Sequence, residues 1–355
     1  MDRRRFLTVT GSSGLVGLAG CLGGNDADDD DGINVGMVYA TGGLDDQSFN
    51  DMALEGVERA ADDFGVGFQN AEPDSPGDVG ELQRNFASDG GFELICCIGF
   101  VQATDLVESA GEFPDQNWMI VDAIAEDDDG PVDNVSNYVF REHEGSFQVG
   151  VIAGLLTGMD FDVGGGETNT DEKRVGFVGG QEVGLIERFE AGFTAGVAYA
   201  DSEVEVTSAY TGSFSDPSTG QEIASSMYDS GADVVFHAAG ASGQGVFEAA
   251  SSAERYAIGV DDDQSLTAPE FSDVIVASML KRVDQAVYES VENVVNDEFL
   301  GGEVSDLGLE ENGVGAAIGQ DFEGELPAEI TDTIEETRDE IIAGNIVVPD
   351  NLDDL

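Results

Sequence analysis

The chain has 355 residues and a formal net charge of −61, from 74 acidic and 13 basic side chains. So few cations leave no basic patch that would neutralise phosphates, which argues against a nucleic-acid partner. In multimolar salt the Debye length is about 3 Å or less and screens the self-repulsion of such a chain. The composition therefore predicts adaptation to a hypersaline medium.

The amino-terminal segment predicts export and a lipid anchor. Three arginines, Arg3, Arg4 and Arg5, precede an uncharged stretch that ends in Leu-Ala-Gly followed by Cys21. This stretch is shorter than the roughly 20 residues of a membrane span. Residues 1–20 are predicted to be a twin-arginine lipoprotein signal peptide, with Cys21 as the lipidated first residue of the mature chain. An uncleaved signal anchor is the alternative, and residues 21–32 are predicted to be an acidic, solvated tether.

From residue 33 onward, short apolar runs alternate with longer amphipathic segments. This alternation predicts an α/β fold of two Rossmann-like lobes with parallel sheets and helices on both faces. The predicted strands are 34–40, 65–69, 94–99, 118–122 and 135–140, then 174–179, 203–210, 233–238 and 256–260. The predicted helices are 49–64, 79–88 and 103–112, then 185–199, 220–230 and 245–254.

The two halves echo each other in sequence. A Val-Gly-Met-Val or Val-Gly-Phe-Val strand is followed, at the same spacing, by a phenylalanine and a glycine. These are Phe49 and Gly56 in the first half and Phe189 and Gly196 in the second. The echo is consistent with two lobes of similar topology that face each other.

Cysteines and histidines are too few for most catalytic chemistry. Cys96 and Cys97 are adjacent in an apolar run and alternate between the two faces of a strand, so we expect buried free thiols, with redox chemistry as the weaker alternative. His143 and His237 are the only histidines, which is little material for a triad or a histidine-rich metal site. The sequence therefore predicts no cofactor, no metal site and no enzyme activity.

A polar and aromatic loop follows the first predicted strand. Phe49 and Asn50 lie where an open α/β sheet receives small molecules, at the carboxyl end of a buried strand. The ring of Phe49 can stack on a ligand ring, and the amide of Asn50 can read its edge. Asp46 and Ser48, in the same loop, are secondary candidates for ligand binding.

Eight short segments, spread over more than half of the chain, are similar to one family and occur in its order. The chain resembles the basic membrane protein family of substrate-binding lipoproteins. That family includes the purine-nucleoside receptors of ABC importers and has the type 1 periplasmic-binding, or Venus-flytrap, fold. The matching segments are 46–50, 118–122, 177–180, 188–193, 210–214, 238–240, 258–261 and 278–282.

The resemblance implies an aromatic sandwich for a nucleobase. Phe49 and Phe214 would stack on the two faces of the base, while Asn50 and Asp122 would hydrogen-bond its edge. Phe189 ranks below Phe214 because its helical context can bury it against the sheet. The simpler alternatives are a core position for Phe214 and capping of the following turn by Asp122.

The resemblance also implies a sugar site. Asp261 would accept both hydroxyls of the ribose diol, Lys281 would hold the sugar beside it, and Gly240 would let the backbone approach closely. Lys281 is one of only two lysines in the chain, with Lys173, so its retention suggests a purpose. The alternatives are a solvated acid at Asp261 and a surface ion pair at Lys281.

One position departs from the family pattern. Ala40 stands where nucleoside-binding members often carry an aspartate, nine residues before the stacking phenylalanine. The loss of that acceptor would leave a buried base donor unpaired, at a cost of about 1–3 kcal/mol. The identity of the base is therefore open, and another ring-bearing ligand is an alternative to a purine.

The function implied by the resemblance is ligand capture at the cell surface. We expect a monomeric lipoprotein on the extracellular face of the membrane, whose lobes close on a nucleoside by hinge motion and present it to an ABC permease. Crossovers are predicted near Arg141 and Asp262. Residues 33–140 plus about 262–300 would then form the amino-terminal lobe, with 274–294 returning to it. Residues 141–261 plus about 301–355 would form the carboxy-terminal lobe.

Three alternatives to this function remain at the level of sequence. One is a sugar-binding protein of the same fold, because Asp261 and Lys281 alone suit a pentose. Another is a sensor that presents its closed form to a membrane receptor. An exported hydrolase is disfavoured because Gln244 stands where the second glycine of a nucleophile elbow belongs.

Overall fold

A computed structural model describes residues 32–355. The predicted signal peptide, Cys21 and nearly all of the predicted tether lie outside the described residues. Within residues 32–355, no helix combines the length and the apolar character needed to cross a membrane.

The elements alternate between strand and helix through most of the chain. The first half contains β1 (Asn34–Val38), α1 (Phe49–Phe64), β2 (Gly67–Ala71), α2 (Val79–Asp89), β3 (Leu94–Ile98), α3 (Ala103–Glu112), β4 (Asn117–Val121), β5 (Val135–Phe140) and α4 (Glu142–Leu156). There follow β6 (Arg174–Gly179), α5 (Gly184–Ala200), β7 (Glu205–Tyr210), α6 (Pro217–Asp229), β8 (Ala232–Ala238), α7 (Gln244–Ala253), β9 (Tyr256–Asp261) and α8 (Gln264–Thr267). The last elements are β10 (Ile275–Lys281), α9 (Val283–Val295), β11 (Val304–Leu307), β12 (Val314–Ile318) and α10 (Ala328–Ile342).

The strands form two six-stranded sheets. The first has the order β11-β5-β4-β3-β1-β2 and is parallel throughout. The second has the order β7-β6-β8-β9-β10-β12, and only its last strand is antiparallel. Every residue of β3 and of β8 is buried, as expected for parallel strands covered on both faces by helices. The predicted α/β fold of two lobes with parallel sheets is confirmed.

The connections between the lobes differ from the sequence prediction at two places. The predicted return to the first lobe near Asp262 is wrong, because β10 pairs in parallel with β9 in the second sheet. Likewise β11, which was assigned to the second lobe, pairs with β5 in the first. An apolar run predicts a buried strand but carries no information on which of two sheets receives it. The chain crosses at Arg141, as predicted, and then at Arg282 and at Gly308.

Two crossover helices approach the lobes closely at glycines. α9 lies on α1, where a Cβ added at Gly56 would come within 2.3 Å of the carbonyl oxygen of Asp284. α4 lies on α5, where a Cβ at Gly196 would come within 2.1 Å of the carbonyl oxygen of Phe147. Both glycines are therefore required for helix packing beside the crossovers. This explains the glycine of the internal sequence echo.

Candidate functional site

A cleft between the lobes collects the ends of strands from both sheets. It contains about 830 Å³ of empty space, including the solvent at its mouth. Its walls are the segments that follow β1, β3 and β4 in the first lobe; in the second lobe they are the ends of β8, β9 and β10, the segment after β7 and the first turns of α5. Seven primary candidates from the sequence line it, together with Ala40, Asp46 and Phe189; the seven are Phe49, Asn50, Asp122, Phe214, Gly240, Asp261 and Lys281.

Asp46 and Asn50 build the loop that leads into α1. The carboxylate of Asp46 accepts hydrogen bonds from the backbone N–H groups of Ser48 and Asn50, both at 3.0 Å. The Asn50 amide donates to the carbonyl oxygen of Gly43 at 2.9 Å and to Asp46 Oδ2 at 3.1 Å, and its oxygen accepts from the N–H of Ala40 at 2.9 Å. Both amide hydrogens of Asn50 are thus used within the loop. In this structure Asn50 shapes the cleft wall rather than offering donors to a ligand.

Burial also changes the titration of the loop. It raises the pKa of Asp46 to about 7, against the opposing effect of the backbone N–H groups that bond the carboxylate. Near neutral pH the aspartate is therefore a mixture of its charged and neutral forms.

Aromatic rings enter the cleft from both lobes. Phe49 and Phe214 are half-buried, whereas Phe189 is 3% exposed, in agreement with its lower rank in the sequence analysis. A Cβ at Gly180 would lie 2.3 Å from the ring of Phe214, so the ring rests directly on the backbone. Gly240, with a φ of 54°, lies beside the same ring.

Lys281 is buried between the lobes with two carboxylates. Its Nζ is 2.6 Å from Asp122 Oδ1 and 3.2 Å from Glu142 Oε1, and its side chain is 2% exposed. Burial alone would lower the pKa of Lys281, but the surrounding carboxylates hold it above its ordinary value. The ammonium also lies 5.3 Å from the centre of the Phe49 ring. Because Lys281 is buried, the alternative of a surface ion pair does not apply to it.

Asp261 joins the lobes from the end of β9. Its Oδ2 accepts a hydrogen bond from Ser48 Oγ of the first lobe. Burial raises the pKa of Asp261 to about 6, although Lys281 and the Ser48 hydroxyl oppose the rise. Asp261 is 6% exposed, so the alternative of a solvated surface acid does not apply to it. Ser48, a secondary candidate, does not line the cleft but fixes this carboxylate.

Sequence reasoning missed two buried residues beside the cleft, Glu142 and Gln264. Gln264 Nε2 donates to the carbonyl oxygen of Gln47 in the other lobe at 2.9 Å. Its Oε1 accepts from the N–H of Val260 at 2.8 Å and lies 3.0 Å from His237 Nε2. Only the proximity of Glu142 to the predicted crossover at Arg141 marked it in the sequence, and nothing marked Gln264.

The chain is similar over most of its length to known solute-binding proteins. A family model described as ABC transporter substrate-binding protein PnrA-like matches residues 33–352. An ABC transporter nucleoside-binding protein of Lactococcus lactis is 30% identical over 94% of each chain. A lipoprotein of Pyrococcus furiosus is 33% identical over 84% of this chain and 73% of the relative. The crystal structure of an ABC transporter solute-binding protein from Aeropyrum pernix superimposes with a TM-score of 0.79 at 29% identity, covering 90% of this chain and 95% of that one.

Proposed function

Because this chain belongs to the PnrA-like family of ABC transporter substrate-binding proteins, we propose that it binds a nucleoside between its lobes for import by an ABC permease. Membership of the family, predicted from eight sequence segments, is confirmed. The family consists of solute-binding proteins rather than enzymes. Its members bind a small-molecule ligand and deliver it to a membrane permease, so this chain has partners of both kinds. The nucleoside and the direction of transport are the parts that we propose.

The observation that carries the proposal is the combination of side chains in one cleft. Phe49 and Phe214 offer ring surface from opposite lobes, while Asp261 and Lys281 offer an acceptor and a donor. A flat base suits the first pair, and a diol suits the second. A nucleoside is the common small molecule that joins these two groups in one ligand.

The polar groups divide between structural and ligand-binding roles. Asp122 holds the ammonium of Lys281 from the first lobe, so its carboxylate is shared between that ion pair and the ligand. Asp261 is fixed by Ser48 and faces the cleft, where it would accept the sugar hydroxyls. Gly240 would bring the backbone close to the sugar. Ala40 leaves the adjoining cleft wall without an acidic side chain, which leaves the identity of the base open.

The location at the membrane rests on the sequence of the amino terminus. The twin arginines and Cys21 would export the protein and attach it by a lipid to the outer face of the membrane. The Pyrococcus furiosus relative is named a lipoprotein, which supports this proposal. A lipid tether would keep the binding protein close to its permease.

Calorimetric titration with nucleosides tests the proposed function. Phe49→Ala and Phe214→Ala should each weaken binding by about 1–3 kcal/mol, because each removes one stacking surface. Tyr199→Ala is the control, since Tyr199 is an aromatic outside the cleft and is 52% exposed. Unchanged affinity in both phenylalanine variants would contradict stacking. Equal affinity for ribose and nucleosides would favour the pentose-binding alternative that Asp261 and Lys281 also allow.

A further inference from the structure

The cleft carries an excess of negative charge although a lysine lies in it. Among the described residues that line it, Lys281 is the only cation, and Asp46, Asp122 and Asp261 are the acids. Glu142 adds a further carboxylate from behind the lysine. An isolated buried ammonium would attract a phosphate group, but this one is already paired.

We propose that Glu142 is a specificity-determining residue, which with Asp122 neutralises Lys281 so that the cleft accepts uncharged ribosides and rejects their phosphate esters. The inference rests on the proposed function and adds to it the class of ligand that is refused. It assigns a role to a residue that does not line the cleft.

The position of Glu142 supports this role. It is the first residue of α4, directly after the first crossover, and its side chain is fully buried. Its Oε1 lies 3.2 Å from Lys281 Nζ, while the guanidinium of Arg188 lies 3.9 Å from Oε2 and is 41% exposed. The buried cation nearest to Glu142 is therefore Lys281. Burial raises the pKa of Glu142, and the charges of Lys281 and Arg188 oppose the rise.

A phosphate ester would have to break this arrangement. The group carries a charge of about −1.5 to −2 at neutral pH. To reach the ammonium of Lys281 it would displace Asp122, which lines the cleft, and the displaced carboxylate would remain buried without its partner. Glu142, behind the lysine, would still neutralise the ammonium and so weaken its attraction for the phosphate. Asp261, next to the same lysine, would repel the phosphate as well. A sugar hydroxyl meets none of these obstacles, because it can bond the ion pair without disrupting it.

The reaction that supplies the ligand follows from this selectivity. Nucleotides outside the cell would have to lose their phosphate by phosphomonoester hydrolysis before this protein captures them. The hydrolysis is a separate activity, since this chain belongs to a family of solute-binding proteins.

The test compares three ligands that differ only at the 5′ position: a nucleoside, its 5′-O-methyl ether and its 5′-monophosphate. Affinities are measured for the full chain at one KCl concentration. The monophosphate should bind at least about 100-fold more weakly than the nucleoside, because like charges brought together in a buried site cost several kcal/mol. The ether should bind within about tenfold of the nucleoside, which separates charge from size.

Charge-removing variants locate the origin of the discrimination. Glu142→Gln should reduce the ratio between nucleoside and monophosphate by at least about tenfold, because it frees part of the charge of Lys281. Glu248→Gln is the matched control, since it removes the same charge from an exposed position on α7 and should leave the ratio unchanged. If Glu142→Gln does not fold, Asp122→Asn removes the other neutralising charge and should shift the ratio in the same direction.

Each result bears on one proposal. Equal binding of nucleoside and monophosphate by the unaltered protein would overturn this inference and leave the proposed function intact. Equal exclusion of ether and monophosphate would also overturn it, because size would then decide. An unchanged ratio in the folded Glu142 variant would overturn the role of that residue. Failure of all three ligands to bind would contradict the proposed function itself.

Discussion

The two lobes share a frame but differ in how they face the ligand. In each sheet the fourth strand along the chain leads into an aspartate with a φ of 68°, Asp122 in the first lobe and Asp261 in the second. Such a φ is uncommon for a residue with a side chain and is found where surrounding structure enforces it. Each aspartate contacts the opposite lobe, the first through Lys281 and the second through Ser48. Equivalent aspartates of the two lobes thus each bind a side chain of the other lobe.

The aromatic residues do not follow this symmetry. Phe49 and Phe189 occupy equivalent places in the internal repeat, yet Phe49 is half-buried at the cleft and Phe189 is almost fully buried. Of the two second-lobe rings that line the cleft, the more exposed is Phe214, which follows the second strand of its sheet. The repeat therefore preserves the residues that position strands and helices, while the surfaces offered to the ligand differ between the lobes.

The largest expected effect comes from breaking the ion pair between the lobes. Lys281→Met should lower the free energy of unfolding by about 3–5 kcal/mol, because the carboxylates of Asp122 and Glu142 would remain buried without their partner. Lys173→Met, which removes the only other lysine, is the control. Lys173 pairs with acids at the surface, so its loss should change the unfolding midpoint little.

Chemical denaturation of the two lysine variants checks this prediction. Equal midpoints for both variants would mean that the buried pair contributes no more than the surface pair. The ion pair of Lys281 with Asp122 would then not be a main stabilising contact between the lobes.

Intermediate effects are expected at the repeated glycines. Gly56→Ala and Gly196→Ala should each destabilise the protein by about 1–3 kcal/mol, because the added Cβ would meet backbone oxygen of the crossover helix. Gly184→Ala is the control, since nothing lies within 4 Å of a Cβ at that position of α5. Thermal unfolding measures all three variants. A loss in only one lobe would show that the glycines of the repeat are not equivalent.

A smaller effect should appear in the pH dependence of binding. The pKa of Asp261 is raised by burial to about 6, so its carboxylate is fully charged only above that pH. If it accepts the ribose hydroxyls, affinity for ribosides should fall several-fold as the pH drops from 7 to 5. The stability of the protein without ligand depends on pH in the opposite direction. Charging a buried carboxyl with a raised pKa lowers the free energy of unfolding as the pH increases through about 6.

Calorimetry on Asp261→Asn isolates this titration. Asp46, with a pKa of about 7, titrates in the same range. The contribution of Asp261 is therefore the difference between the pH profile of affinity of the unaltered protein and that of the variant. The variant should bind ribosides more weakly at pH 7 and lose most of the pH dependence. An identical pH profile in both proteins would remove Asp261 from the sugar site.

The fold was predictable where the sequence pattern matches the local structure. The predicted helix 49–64 agrees with the observed bounds, because one face is apolar and Gly65, with a φ of 74°, ends it. α4 was not predicted, because apolar residues occupy all its faces and leave no amphipathic pattern. β10 was assigned to the wrong sheet, because an apolar run does not indicate which strand it pairs with.

The family resemblance predicted which residues line the cleft, but not the contacts that they make. Residues at the carboxyl ends of parallel strands converge whatever their distance along the chain, so all seven primary candidates reach the cleft. Glu142 and Gln264 were missed because their contacts, of Glu142 with Lys281 and of Gln264 with Gln47, join distant parts of the sequence. The use of the Asn50 amide within its own loop depends on a backbone geometry that composition does not reveal.

A thermal shift panel tests the central claim most directly. The protein would be heated in molar KCl with nucleosides, free bases and ribose as separate ligands. A ligand at about 100 times its dissociation constant adds about 2.7 kcal/mol of stability, which raises the midpoint by a few degrees. Binding between an aromatic pair and a sugar site predicts a shift with nucleosides and little or none with ribose. A shift with ribose alone, or with none of these ligands, would contradict it.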